Sequence, residues 1–156
     1  MSRPKPKGST PMTRHSPAQD PESLDRFVAA QDRAYAVALS ELERGRKESH
    51  WMWFIFPQLR GLGQSAMSHL YGIADREEAR RDLAHPLLGP RLIACAQAVL
   101  AHDDRSAEAI FGTIDAGKLR SSATLFAADG PAVFTTILDT FFDGRPCPVT
   151  ARRLHA

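Results

Sequence analysis

Apolar residues recur every three or four positions through most of this chain, which is the period of a helix with one buried face. In "DPESLDRFVAAQDRAYAVALSELERG" the stripe is Leu24, Phe27, Val28, Tyr35, Leu39 and Leu42. Asp20 followed by Pro21 fits an N-cap and first helical residue, and Gly45 stands where a C-cap is useful. One polar residue interrupts the stripe: Gln31, four residues after Phe27 and four before Tyr35. Next comes "HWMWFIFPQ". Every position from Trp51 to Phe56 is apolar without alternation, which predicts a short central helix buried on all sides. Pro57 would clash with the carbonyl of Trp53 and ends it.

The remaining elements follow from caps and stripes. Ser65 caps a short helix running to Tyr71. Asp75 and Glu78 have capping-box spacing, and His85 with Pro86 closes that helix. Pro90 opens a helix with Leu92, Cys95, Ala96, Val99 and Leu100 on one side. A short helix covers about 106 to 111, another begins at Asp115, and Gly130-Pro131 opens a last one bearing Phe134, Ile137, Leu138 and Phe141. "DGRPCPVT" reads as irregular, because two prolines and a glycine interrupt it. No hairpin or strand–helix–strand pattern is evident. The fold class is all-α, a single compact domain of about seven or eight short helices around the central aromatic one, stabilised by packing rather than propensity.

Composition narrows this picture. The chain of 156 residues, 43% apolar and 24% charged, suits one domain with a real core. Residues 1 to 19, rich in Pro, Lys, Ser and Thr, read as a disordered tail. Residues 20 to 150 read as the helical domain and 151 to 156 as a flexible C-terminus. The formal net charge of +2 is concentrated at the ends: Arg3, Lys5, Lys7 and Arg14 precede the first acid, and Arg152 and Arg153 lie near the other end. The middle lacks the basic stripe of a nucleic-acid binder. No apolar run approaches the ~20 residues of a membrane span, and no signal peptide is recognisable. Cys95 and Cys147 lack CxxC spacing and read as reduced thiols of a cytoplasmic protein.

Candidate chemistry lies in polar residues set among apolar ones. Gln31, His50 and Gln58 each need a partner if buried, since an unpaired amide or imidazole costs ~1–3 kcal/mol. Two accounts are open: they bond loop backbone and hold the central helix, or they are the polar fixtures of a pocket walled by Trp51 and Trp53. Against a shared pocket, Trp51 and Trp53 point about 200° apart on a helix. Arg91 lies in a first turn, where a cation is disfavoured, and no Asp or Glu occurs from Leu83 through His102. It needs either a distant carboxylate or a bound anion. Arg26, by contrast, has Glu22 and Asp25 nearby, and Lys118 has Asp115. Lys118, Ser121 and Ser122 share one side of a helix and, with Thr124, offer a phosphate site. Alternatively the hydroxyls bond back to the preceding turn, the arrangement expected for the buried Ser122. Asp143 and Arg145 are placed to pair with each other or with the Arg91 helix. The six histidines show no HxxxH or HExxH spacing, so no metal and no cofactor are expected.

Together "DRFVAAQ", "SHWMWFIFPQLRGLGQS", "YGI", "HPLLGPRL", "IFG", "DAGKLRSSATLF" and "FFDGRPCPVT" resemble a bacterial family of uncharacterised proteins, the domain-of-unknown-function 1810 family. The resemblance runs in order from about residue 20 to 150. It implies a compact, mostly helical single domain and no established activity or catalytic residue. Some members are labelled calpastatin-like, but an inhibitor of that kind is a long disordered chain, and this one is mostly core. Two functions are therefore expected as alternatives. One is a site for a small anionic or nucleotide-like ligand, with His50, Gln58 and Arg91 converging on a cavity. The other is a protein-interaction module with a filled core and an exposed apolar patch.

Overall fold

The structure is a computed structural model and describes residues 17–155. The basic part of the expected tail, residues 1 to 16, lies outside them. Pro17–Gln19 form a single 3-10 turn, and nine α-helices follow among the described residues. They are α1 (Asp25–Glu43), α2 (Met52–Ile55), α3 (Ala66–Leu70), α4 (Arg76–Ala84), α5 (Leu88–Leu100), α6 (Ala107–Phe111), α7 (Thr113–Ala127), α8 (Val133–Phe142) and α9 (Pro148–Leu154). The only extended pairing described is an isolated parallel bridge between Leu59 and Ile73. The chain is all-α, as its periodicity predicts.

The long helices make the frame. α1 packs on α5, α5 on α4 and α8, and α7 on α6 and α8. Into this frame α2 inserts a single turn, with Trp51, Met52, Phe54, Ile55 and Phe56 buried and Trp53 half-buried. A helix of one turn has no stability of its own, so its apolar surround holds it. Phe27, Leu42, Leu92, Val99, Leu119, Phe126, Phe134 and Ile137 complete the centre of the core. Exposed large apolar residues come from separate elements: Val37, Met67, Leu87, Ile114 and Val149. No single helix among the described residues is long and apolar enough to cross a membrane.

Several boundaries differ from the sequence reading, α7 starting at Thr113 rather than Asp115 and α8 at Val133 rather than directly after Gly130-Pro131. α1 starts at Asp25, because Asp20 caps a preceding turn instead, its Oδ1 accepting from the Glu22 amide at 2.9 Å. α5 starts two residues before Pro90. The His85 Nδ1 accepts from the Leu87 and Leu88 amides at 3.1 and 3.2 Å, so an imidazole supplies the cap. The corner is so tight that a Cβ on Gly89 would lie 2.2 Å from the Leu83 carbonyl oxygen. Finally, "PCPVT" opens α9 rather than remaining irregular, with Pro148 at the first helical position, where its missing N–H costs nothing. Residues 151 to 154, expected to be a flexible end, are helical and docked: Thr150 is buried and Arg153 Nη1 donates to the Arg60 carbonyl at 2.7 Å.

Candidate functional site

The central aromatic turn borders a narrow crevice. Met52, Trp53 and Phe56 form its apolar wall, and Gln58, Tyr71 and Lys118 its polar edge. α2 ends at Ile55, just before Pro57, and Trp53 is half-buried beside the opening. From α7, the Lys118 ammonium sits 4.7 Å above the Trp53 ring. Asp115 holds Lys118 at 3.4 Å and Lys47 at 2.9 Å, and Lys47 lies 5.0 Å over the Trp51 ring. One carboxylate thus serves two ammonium groups, each on a different indole. The cavity itself is about 10 Å³, room for one water.

The rest of the lining is Ser68, Tyr71 and Gly72, and the last two belong to the segment from Leu70 to Ile73. Tyr71 packs against Phe54 and Phe27, with ring centroids 5.3 and 5.9 Å apart. Burial raises its phenol above the ordinary value, partly offset by the Arg26 charge. Gly72 passes so close to Arg60 that a Cβ would lie 2.5 Å from the Arg60 Cα. Ile73 donates to the Gln58 carbonyl at 2.8 Å and accepts from the Arg60 amide at 2.8 Å. The Gln58 side-chain amide lines the crevice without a hydrogen-bond partner among the described residues, and so does the Tyr71 hydroxyl.

Arg26 holds this segment in place. It is fully buried, with Nε donating to the Leu70 carbonyl at 2.7 Å and Nη2 to the Gly72 carbonyl at 2.9 Å. Nη1 donates to the Ser23 carbonyl at 2.7 Å, and both terminal nitrogens grip Glu78, at 2.8 and 3.1 Å. The pairing of Arg26 with Glu22 or Asp25 expected from proximity in sequence is therefore wrong. Glu22 goes to Arg60 at 3.3 Å. At the other end of α1, Glu41 accepts from the Glu48 and Ser49 amides, the Ser49 hydroxyl and the Trp51 indole N–H. Neither knot was named by sequence reasoning. Nothing local links residues 52 positions apart, although Trp51 needing a partner for its N–H was a usable signal for Glu41.

The structure separates most of the residues singled out from sequence. Gln31 is buried as expected and donates to the Phe54 carbonyl at 2.8 Å, so it holds the central turn by its backbone. Arg91 finds no carboxylate within ion-pair distance among the described residues. It stacks 4.5 Å from the Tyr35 ring and reaches the Gln31 Oε1 at 3.5 Å. His50 is exposed, so His50, Gln58 and Arg91 do not converge on one cavity. Trp51 is a core residue, 6.5 Å edge-on from Phe111, and does not line the crevice. Trp53, Gln58 and Lys118 are brought together.

On α7, Ser121 bonds back to the Gly117 carbonyl at 3.2 Å and Thr124 to the Arg120 carbonyl at 2.8 Å. Ser122, expected to do the same, is fully buried with its hydroxyl unpartnered among the described residues. Lys118 turns to Trp53 while Ser121 turns toward Cys147, so these residues form no joint phosphate site. Burial pushes the Cys95 thiol up to about 12, fitting an inert core thiol. At Cys147 burial is outweighed by the Ser121 hydroxyl and the Val149 and Thr150 amides, and the thiol lies below its ordinary value. Asp143 and Arg145 form no ion pair among the described residues. Asp143 instead ends α8 in a left-handed conformation, φ 55°.

Comparison with curated proteins yields no match. The fold is similar to the crystal structure of a conserved hypothetical protein, Rv1873, from Mycobacterium tuberculosis. The two share 47% sequence identity and a TM-score of 0.84, over 88% of this chain and 99% of that one. A family model described as "Protein of unknown function (DUF1810)" matches residues 21–154. The matched span takes in every helix from α1 to α9, and the chain belongs to the DUF1810 family.

Proposed function

We propose that this protein binds a small ligand carrying an anionic group on a planar or apolar body, at the crevice beside the central aromatic turn. One observation carries the reading. Three hydrogen-bond donors, the Lys118 ammonium, the Gln58 amide and the Tyr71 hydroxyl, edge an indole-walled opening, and two of them have no partner among the described residues. An apolar wall with a few convergent donors is the usual make-up of a small-molecule site, and the two unpartnered donors beside an ammonium favour an oxyanion, which would share Lys118 with Asp115. A cavity of about 10 Å³ encloses no ligand, so the ligand body lies across the mouth. Phosphorylated metabolites and nucleotides have the required shape and charge.

A thermal-shift screen of such anions against the wild type, Lys118→Ala and Gln58→Leu tests this. A ligand at one hundred times its dissociation constant adds ~2.7 kcal/mol to wild-type stability. The shift should vanish in Lys118→Ala and shrink in Gln58→Leu. No shift with any anion, or one that persists unchanged in both variants, sinks the reading.

A further inference from the structure

Helix α4 carries Glu78 and Asp82 one turn apart on its buried face, 1% and 3% exposed. A guanidinium has five N–H donors. Those of Arg26 go to Leu70, to Ser23, to Gly72 and twice to Glu78, so all five are engaged. Asp82 is left without a hydrogen-bond donor among the described residues. A buried carboxylate with neither donor nor counter-ion of its own is strongly disfavoured, and such a group keeps its proton.

No cation lies within ion-pair distance of Asp82 among the described residues; the Glu78 charge on its own helix disfavours its ionisation and the Arg26 charge from α1, itself held by Glu78, favours it. α5 packs on α4 through a first turn containing Leu88 and Gly89, and the chain from Leu83 to His102 contains no acid. α7 also packs on α4. The charges at its C-terminal end, Asp129 with Arg76 and Arg80, lie on the half-exposed side of α4, about 200° round from Glu78 and Asp82. His85, at the C-cap, has its Nδ1 occupied by the Leu87 and Leu88 amides.

We propose that Asp82 is a proton-binding site that operates the Arg26 clamp on the Leu70–Ile73 segment. While Asp82 is neutral, Arg26 keeps its five donors on Glu78 and the loop carbonyls. When the proton leaves, a second carboxylate competes for the same guanidinium, and a loop carbonyl loses its donor. Burial first, and the Glu78 charge second, push the Asp82 carboxyl up to about 7, with the Arg26 charge only partly offsetting them. The ordinary value is 3.8. Because the clamped-state value is the higher one, the clamp is tightest below that ordinary value and weakens as pH rises toward 7. Tyr71 belongs to the clamped segment, so the crevice would follow the same proton; that consequence alone rests on the ligand reading.

The test is a carboxyl-carbon NMR titration of Asp82, with hydrogen exchange of the Ile73 and Arg60 amides, in wild type, Asp82→Asn and His85→Gln. Asp82 should be protonated at pH 5.5, with a midpoint near 7. After correction for intrinsic exchange, opening at Ile73 should rise by up to ~tenfold per pH unit between pH 5 and 7 and then level off. Asp82→Asn should flatten this dependence and His85→Gln should keep it. An Asp82 carboxyl already ionised at pH 5.5 overturns the proposal, and so does an Ile73 profile that is the same in wild type and Asp82→Asn. Should Asp82→Asn not fold, the wild-type carboxyl titration decides alone. None of these readouts needs a ligand, so a failed anion screen leaves this result standing.

Discussion

The two ends of α1 bury charge by opposite means. Near its start, Arg26 is a buried donor group surrounded by acceptors: three loop carbonyls and the Glu78 carboxylate. Near its end, Glu41 is a buried acceptor surrounded by donors: two amides, a hydroxyl and an indole N–H. Glu41 needs no cation. Burial works against its ionisation, yet the Ser49, Glu48 and Trp51 donors outweigh it and hold the carboxyl down to about 2. Asp82 is as little exposed but lies deeper in the fold, has no donor among the described residues, and goes the other way. Depth and donors act together on whether a carboxylate stays charged. The donors within reach are what offset burial at Glu41, and each end of α1 uses its hydrogen bonds to fix the loop that follows or faces it.

The largest effect should come from removing the donor at the first knot. Arg26→Met leaves Glu78 buried without a counter-ion and three carbonyls without donors, a loss of about 3–5 kcal/mol by urea unfolding. The double variant Arg26→Met/Glu78→Met should recover much of it. A single-variant loss below ~1 kcal/mol would mean that the clamp adds little. Glu41→Ala comes next, at roughly 3 kcal/mol, because it strands four donors around a cavity. In the wild type the folded value of Glu41 lies below its ordinary 4.5, so its contribution is present above that pH and is lost as pH falls toward 2. An acid-unfolding curve that is the same in wild type and Glu41→Ala would break the contrast with Asp82. The smallest test repeats it with hydroxyls. Ser121→Ala removes a bonded group and should cost up to ~1 kcal/mol, whereas Ser122→Ala removes an unpartnered one and should be neutral or slightly stabilising.

Much of the frame was legible in the sequence because it rests on short-range rules. The stripe from Leu24 to Leu42, the caps at Ser65 and Asp75, and the break at Pro57 each involve residues within a few positions of one another. α9 escapes the short-range rules because a proline breaks a helix in its interior but starts one at the first helical position, where Pro148 stands. Of the candidate site, Trp53, Gln58 and Lys118 were among the named residues, and Tyr71 was not. Its place opposite Trp53 depends on Arg26 and Glu78, which are far apart along the chain. Arg91 was correctly seen to lack a local acid, but the stacking partner that replaces one, Tyr35, comes from another helix.

The order of apolar and polar residues, by itself, determined that this protein is a set of short helices gathered on a buried aromatic turn. Helical period and capping are set by neighbours three or four positions away. Only the tertiary structure decided which charges are buried, which carboxylate has donors, and which polar groups meet at the crevice. Those outcomes depend on contacts between distant segments, where one guanidinium or one indole N–H can be given to only a few partners.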